Sequence, residues 1–171
     1  MSGRDVDRRR VYDAEDAAFL DTTYADRIGE RGCRWLVDRL VATPWWQAAG
    51  APVPQVRAAR IDSARSTTVV RSGGAELRIG PGMDLAHVLS HELAHLLATP
   101  GAGHGPLYRA AHVDVATVLL GRHGANRLAE RYARAGLALA PNRWPAPPNH
   151  GDGGLLAVWE ARRSIDAGRL L

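Results

Sequence analysis

Lysine is absent from the 171-residue chain, and all 22 of its basic residues are arginine. Cysteine occurs once, as Cys33, and no apolar run approaches the roughly 18 to 20 residues that a membrane-spanning helix needs. A single cysteine excludes an intrachain disulfide framework and a zinc ribbon built from cysteine pairs. The opening stretch MSGRDVDRRR has no apolar segment of the kind a secretory signal carries, so the expected setting is soluble, reducing and cytoplasmic, with no membrane partner. Arginine in place of lysine, with 29 alanines, reads as a high-GC coding bias before it reads as function. A formal charge of only +4 lacks the concentrated basic patch of a dedicated nucleic-acid binder, so nucleic acid is not an expected partner either. The one dense basic run, four arginines among residues 4–10, reads as a solvated N-terminus with residues 1–5 frayed. Length and a 46% hydrophobic content fit one domain with a real core.

Periodicity predicts a helix over 6–20, with Val11, Ala14, Ala18 and Phe19 to one side, and a stronger one over 32–42. In the second, Cys33, Leu36, Val37, Leu40 and Val41 share a face and Pro44 ends it; of Trp45 and Trp46, one ring should be buried and one half-exposed. Short β-branched runs at 55–60, 67–71 and 75–79 predict a small antiparallel sheet, the last two joined by a turn at Ser72, Gly73 and Gly74. Asp84 is placed to cap a helix running through Leu97, which Thr99, Pro100 and Gly101 stop. Further helices follow from Pro106 to about Leu120 and over 125–137, then a Pro- and Gly-rich surface loop at 139–154. A C-terminal helix over 155–168 should dock through Leu155, Val158, Trp159 and Ile165. The expected class is a single α+β domain.

Histidine is what composition leaves unexplained, since five of the seven fall between His87 and His112. His91, Glu92 and His95 spell HExxH on the Asp84 helix. Residues at i and i+4 share a helical face, so both imidazoles can reach one Zn2+ at about 2.0–2.1 Å. Glu92 falls beside that ion, where it can take a proton from the water such a site activates. Apolar flanks (Leu85, Val88, Leu89, Leu93, Leu96, Leu97) suit a buried helix carrying an inward-facing site. A catalytic zinc keeps three protein ligands and one open position. His104 is the choice for the third, because the glycine-rich TPGAG can turn the chain back; His112, Asp114 and His123 are its rivals.

HELAH followed after eight residues by HGPLY resembles the zinc metallopeptidases of the SprT and WLM kind. It is closer still to a family of small actinobacterial HExxH metallohydrolases, to which the N-terminal RDVDRRRVYDAE is also similar. The resemblance implies a zincin-like fold: a small sheet, an active-site helix and a second helix delivering the third ligand. It implies zinc on His91, His95 and His104, with Glu92 as general base, and an aromatic where Tyr108 stands. SprT-type proteins often append a four-cysteine ribbon and act around DNA; with only Cys33, this chain lacks that link.

His87, His112 and Asp114 are candidates for supporting the ligands from behind, since a ligating imidazole needs a partner for its other nitrogen. Tyr108 or His112 could hydrogen-bond a developing oxyanion. The 75–79 strand, if its edge is open, could accept an extended peptide. The expected activity is zinc-dependent hydrolysis of a peptide or protein substrate. The competing expectations are a degenerate zinc-binding interaction or regulatory protein and a nucleic-acid-associated protease.

Overall fold

The computed structural model describes residues 5–63, 65–99 and 101–168. Seven helices and three strands lie within them, an α+β arrangement. In α1 (Arg8–Phe19) the expected face of Val11, Ala14, Ala18 and Phe19 is buried, and Glu15 is buried with it. A short 3-10 turn, Thr23–Ala25, leads to α2 (Gly29–Val41), which packs Cys33, Leu36, Val37 and Leu40 inward.

Pro44 opens α3 (Pro44–Ala48) as well as closing α2, occupying the first turn where its missing N–H costs nothing. Thr43 Oγ1 caps this short helix by accepting from Trp46 N–H at 3.2 Å. Both tryptophans are buried, 6% and 0% exposed, contrary to the half-exposed expectation. The 139–154 loop reaches Trp45, whose Nε1 donates to Pro145 O at 2.8 Å.

The sheet joins β1 (Pro54–Ala58), β2 (Thr67–Arg71) and β3 (Gly74–Ile79) in the order β1-β3-β2. β2 and β3 form the expected hairpin, with Arg71 opposite Gly74. β1, however, pairs parallel to β3, Val56 opposite Leu77, so the sheet is mixed rather than antiparallel. Residues 59–66 carry the chain across to the opposite edge before β2 begins, which makes β3 the central strand. Ala75, Leu77 and Ile79 alternate into the core, while Glu76 and Arg78 face out.

α4 (Ala86–Ala98) carries the HExxH residues and is buried on nearly every face. Asp84 does not cap it. Its carboxylate accepts from Arg27 Nε at 2.8 Å and its carbonyl from Ile28 N–H at 2.9 Å, so a long-range guanidinium takes the oxygen that a local cap would have used. The helix ends at Ala98 with Thr99 at φ 89°; Pro100, the expected stop, is outside the described residues.

α5 (Pro106–Leu119) and α6 (Gly121–Arg134) follow almost without a break. Gly121, at φ +78°, makes that possible and begins α6 four residues before the expected 125; a Cβ there would lie 2.3 Å from Asp152 O. α7 (Gly154–Gly168) docks through Leu155, Leu156 and Trp159, with Trp159 against Trp35 of α2. Val158 and Ile165 are 52% and 56% exposed, so the docking face is narrower than the periodicity suggested. No helix among the described residues is long and apolar enough to cross a membrane.

Candidate functional site

α4 sets His91 and His95 one turn apart, ring centroids 5.0 Å from each other. His104 stands just ahead of α5, its ring 4.9 Å from that of His95, with Nε2 3.4 Å from His91 Nε2. One potential ligating nitrogen from each of the three lies within 4.8 Å of the others, a spacing that could hold a metal ion. Two nitrogens bound to one tetrahedral zinc at about 2.0–2.1 Å sit roughly 3.4 Å apart, so the facing Nε2 atoms fit such an ion. Burial, together with the neighbouring histidines, pushes His95 down to about 3, and burial lowers His104 against the pull of Asp5. His91 differs: burial works against its charge, but Glu15 beside it raises it above its usual range, so a metal, which binds neutral imidazole, would compete there with a proton.

Two of the three histidines are held from behind by carboxylates that the sequence reading missed. His91 Nδ1–H donates to Glu15 Oε2 at 2.8 Å, and His104 Nδ1–H donates to Asp5 Oδ2, whose other oxygen accepts from His104 N–H at 3.2 Å. A donor at Nδ1 leaves the Nε2 lone pair free to point into the cluster. Both carboxylates come from residues 5–15. Tyr12, between them, stacks on His91 at 5.3 Å and meets His104 edge-on at 5.1 Å. Asp7 accepts from Arg109 Nη1 at 2.9 Å, and the same nitrogen donates to His104 O at 2.9 Å.

The N-terminal stretch is therefore a wall of the site. Its expected fraying fails at Asp5, where long-range pairing to His104 holds the residue; residues 1–4 are outside the described residues. One signal could have revealed Glu15: an acidic residue on the apolar face of an amphipathic helix must find partners or remain costly to bury.

Glu15 accepts from four groups, the others being His112 Nδ1 at 3.1 Å, Tyr132 Oη at 2.8 Å and Tyr108 Oη at 3.3 Å. Burial works against its charge, yet His91 and His112 hold the carboxyl well below its usual range. Glu92 differs. Burial raises it, only partly opposed by His91 and by Thr68, whose Oγ1 lies 2.9 Å from both Glu92 Oε2 and Glu92 O.

The remaining expected residues separate clearly. Tyr108 is fully buried, with its hydroxyl 2.6 Å from His91 Nδ1, on the opposite side of that ring from Nε2. It supports His91 and does not border the open side. His112 also supports from behind, through Glu15 and with Nε2 3.0 Å from Ser90 Oγ. Glu15, His91 and His112 are close enough to be a second possible metal group, but their contacts are already hydrogen bonds with one another and with two tyrosines.

His87 points elsewhere, its Nδ1 bonded to Tyr24 O at 3.0 Å. Asp114 has no part in the cluster: it accepts from Asn142 at 2.6 Å and Trp144 at 2.7 Å, fastening the 139–154 loop to α5. His123 and His150 are exposed and outside it.

The open side is a cleft of about 300 Å³ in which Tyr12, Thr68, Val70 and Arg8 surround His91, Glu92, His95 and His104. A second cavity of about 400 Å³ adjoins it across Tyr12, lined by Met83, His87 and Val88. The strand bordering the cleft is the edge strand β2; β3, expected to offer an open edge, is paired on both sides. Compared with known proteins, the chain matches no family model, no curated protein and no solved structure.

Proposed function

We propose that the protein is a zinc-dependent metallohydrolase of the zincin kind, acting as a peptidase and similar to the SprT and WLM enzymes. One observation carries this reading: three imidazoles converge beside a buried carboxylate of raised pKa, and all four side chains line one cleft. His91, His95 and His104 would hold the ion. Zinc bound there supplies Lewis acidity toward a substrate carbonyl and toward water.

Glu92 is the general base. Thr68 fixes Oε2, while Oε1 accepts no hydrogen bond among the described residues and is free to take a proton from the attacking water. A carboxyl raised by burial returns that proton readily to a leaving amine. Tyr12 takes the role first expected of Tyr108: it borders the cleft, and its hydroxyl has no hydrogen-bond partner among the described residues, leaving it available to a developing oxyanion. Glu15 and Asp5 fix the tautomers of His91 and His104, and an extended peptide would lie along β2.

The test pairs two variants. Glu92→Gln should keep zinc and lose peptide cleavage, whereas His95→Ala should lose both; undiminished turnover in Glu92→Gln would refute the mechanism. The structural-zinc alternative requires a fourth protein ligand. Metal-edge X-ray absorption of the zinc-loaded protein would decide it, three imidazoles plus a solvent oxygen supporting the hydrolase.

A further inference from the structure

We infer that the cleft selects substrates bearing a carboxylate near the scissile bond, read by Arg8 and Arg65, a specificity that rests on the hydrolase reading above. Both arginines line the cleft that holds His91, Glu92, His95 and His104, and Arg65 also lines the adjoining cavity. Arg8 lies in the first turn of α1, its guanidinium 5.5 Å from the centre of the Tyr12 ring. Arg65 emerges from the connection between β1 and β2, at a point fixed by backbone packing. Ser66 is buried and its Oγ accepts from Gly80 N–H at 3.1 Å, while a Cβ on Gly80 would come within 2.8 Å of the Arg65 carbonyl carbon.

Charge around the cleft is lopsided. Among the described residues neither Arg8 nor Arg65 forms an ion pair, whereas Arg109, which holds the His104 carbonyl, is paired with Asp7. Glu92 is the carboxylate facing the cleft, and Thr68 holds one of its oxygens. Asp5 is committed to His104, while Glu15 and Asp16 border only the adjoining cavity, and Glu15 is already bonded to His91, Tyr108 and Tyr132. Two exposed guanidiniums on one cleft, neither in an ion pair among the described residues, attract an anion, and the planar fork of arginine matches a carboxylate in particular. The carboxylate could belong to an acidic side chain or to the end of a peptide chain.

Binding can be measured apart from cleavage by using zinc-loaded Glu92→Gln protein and fluorescein-labelled peptides of matched length. An acidic, a neutral and a basic peptide, all C-terminally amidated, are compared with a neutral peptide ending in a free carboxylate. The expected result is about tenfold tighter binding of the acidic peptide, or of the free-carboxylate peptide, than of the amidated neutral one, shrinking at high salt. Whichever of the two is preferred identifies the source of the carboxylate.

Adding Arg65→Glu should abolish or reverse the preference, and Arg8→Gln should reduce it, with zinc content unchanged. Equal binding of all four peptides, no binding, or a preference untouched by both substitutions overturns the inference. Wild-type protein that cleaves peptides without regard to charge also overturns it, while leaving the hydrolase reading intact. Charge-selective binding without cleavage by the wild type would do the reverse.

Discussion

The two sides of His91 contain the same kinds of residue and do opposite things. On the Nδ1 side, Glu15, Tyr108, Tyr132 and His112 form a buried network of hydrogen bonds with one another and with His91. On the Nε2 side, Glu92, Tyr12 and the other two histidines surround a cleft. The closed side holds its carboxylate well below the usual range by surrounding it with donors, and the open side lets burial push its carboxylate up. Carboxylates whose pKa values are driven apart by their surroundings are the ones that divide roles between fixed charge and proton carrier. Residue type alone would have made Glu15 and Glu92, or Tyr108 and Tyr12, interchangeable. Hydrogen-bond partners and position separate them: Glu15 is surrounded by four donor side chains, whereas Glu92 has Thr68 and lines the cleft.

Substitutions on each side sharpen the contrast. Glu92→Gln should lower peptide turnover by about 10²- to 10⁴-fold, the range for losing a general base, with zinc content and Tm close to wild type. Glu15→Gln should do something different, weakening zinc binding by about 10- to 100-fold and lowering Tm, because His91 loses its orienting charge and three further donors lose an anionic acceptor. Competition with a chelator and a thermal melt on both variants would read this; if the two behave alike, the division into open and closed sides is wrong. Arg109→Met, which removes the tie between Asp7, His104 O and Ala138 O, should cost about 2–3 kcal/mol in urea unfolding.

Acid should damage the metal-free protein through the open side. His95 titrates at about 3 in the folded chain against an ordinary 6.5, so the unfolded chain binds its proton first. The resulting stability is fully present above about pH 6.5 and is lost as pH falls toward 3, visible as a urea midpoint that drops between pH 8 and pH 5. An identical pH dependence in His95→Phe protein would remove buried His95 as its source. The smallest effect lies outside both sides: Cys33, pushed up to about 12 by burial, should ignore thiol reagents until the protein is unfolded.

Local signals in the sequence were reliable where the physics is local. Helical spacing was enough to put His91 and His95 on one face, the Ser72–Gly73 turn to set the hairpin, and a glycine-rich turn to return His104 to them. Features that depend on distant partners were misread. Asp84 pairs with Arg27 instead of capping α4, β1 runs parallel to β3, and Trp45, bonded to the 139–154 loop, is buried along with Trp46. The largest such error was at the N-terminus: residues 1–5 read as frayed although Asp5 pairs with His104, and the pairing of Glu15 with His91 went unread, while Arg8, Arg9 and Arg10 are exposed as expected.

The sequence by itself determined an α+β class, an HExxH helix and a third histidine within reach of it, because a 3.6-residue period and a short flexible turn constrain neighbours only a few residues apart. Only the tertiary structure decided which carboxylate holds His91, which one faces the cleft and which tyrosine borders it. Glu15 lies 76 residues from His91 and Asp5 lies 99 from His104, and no periodicity carries information over that span. At such separations it is burial that selects partners, because a charged group taken out of water is tolerated only where the folded chain supplies the donors that replace it.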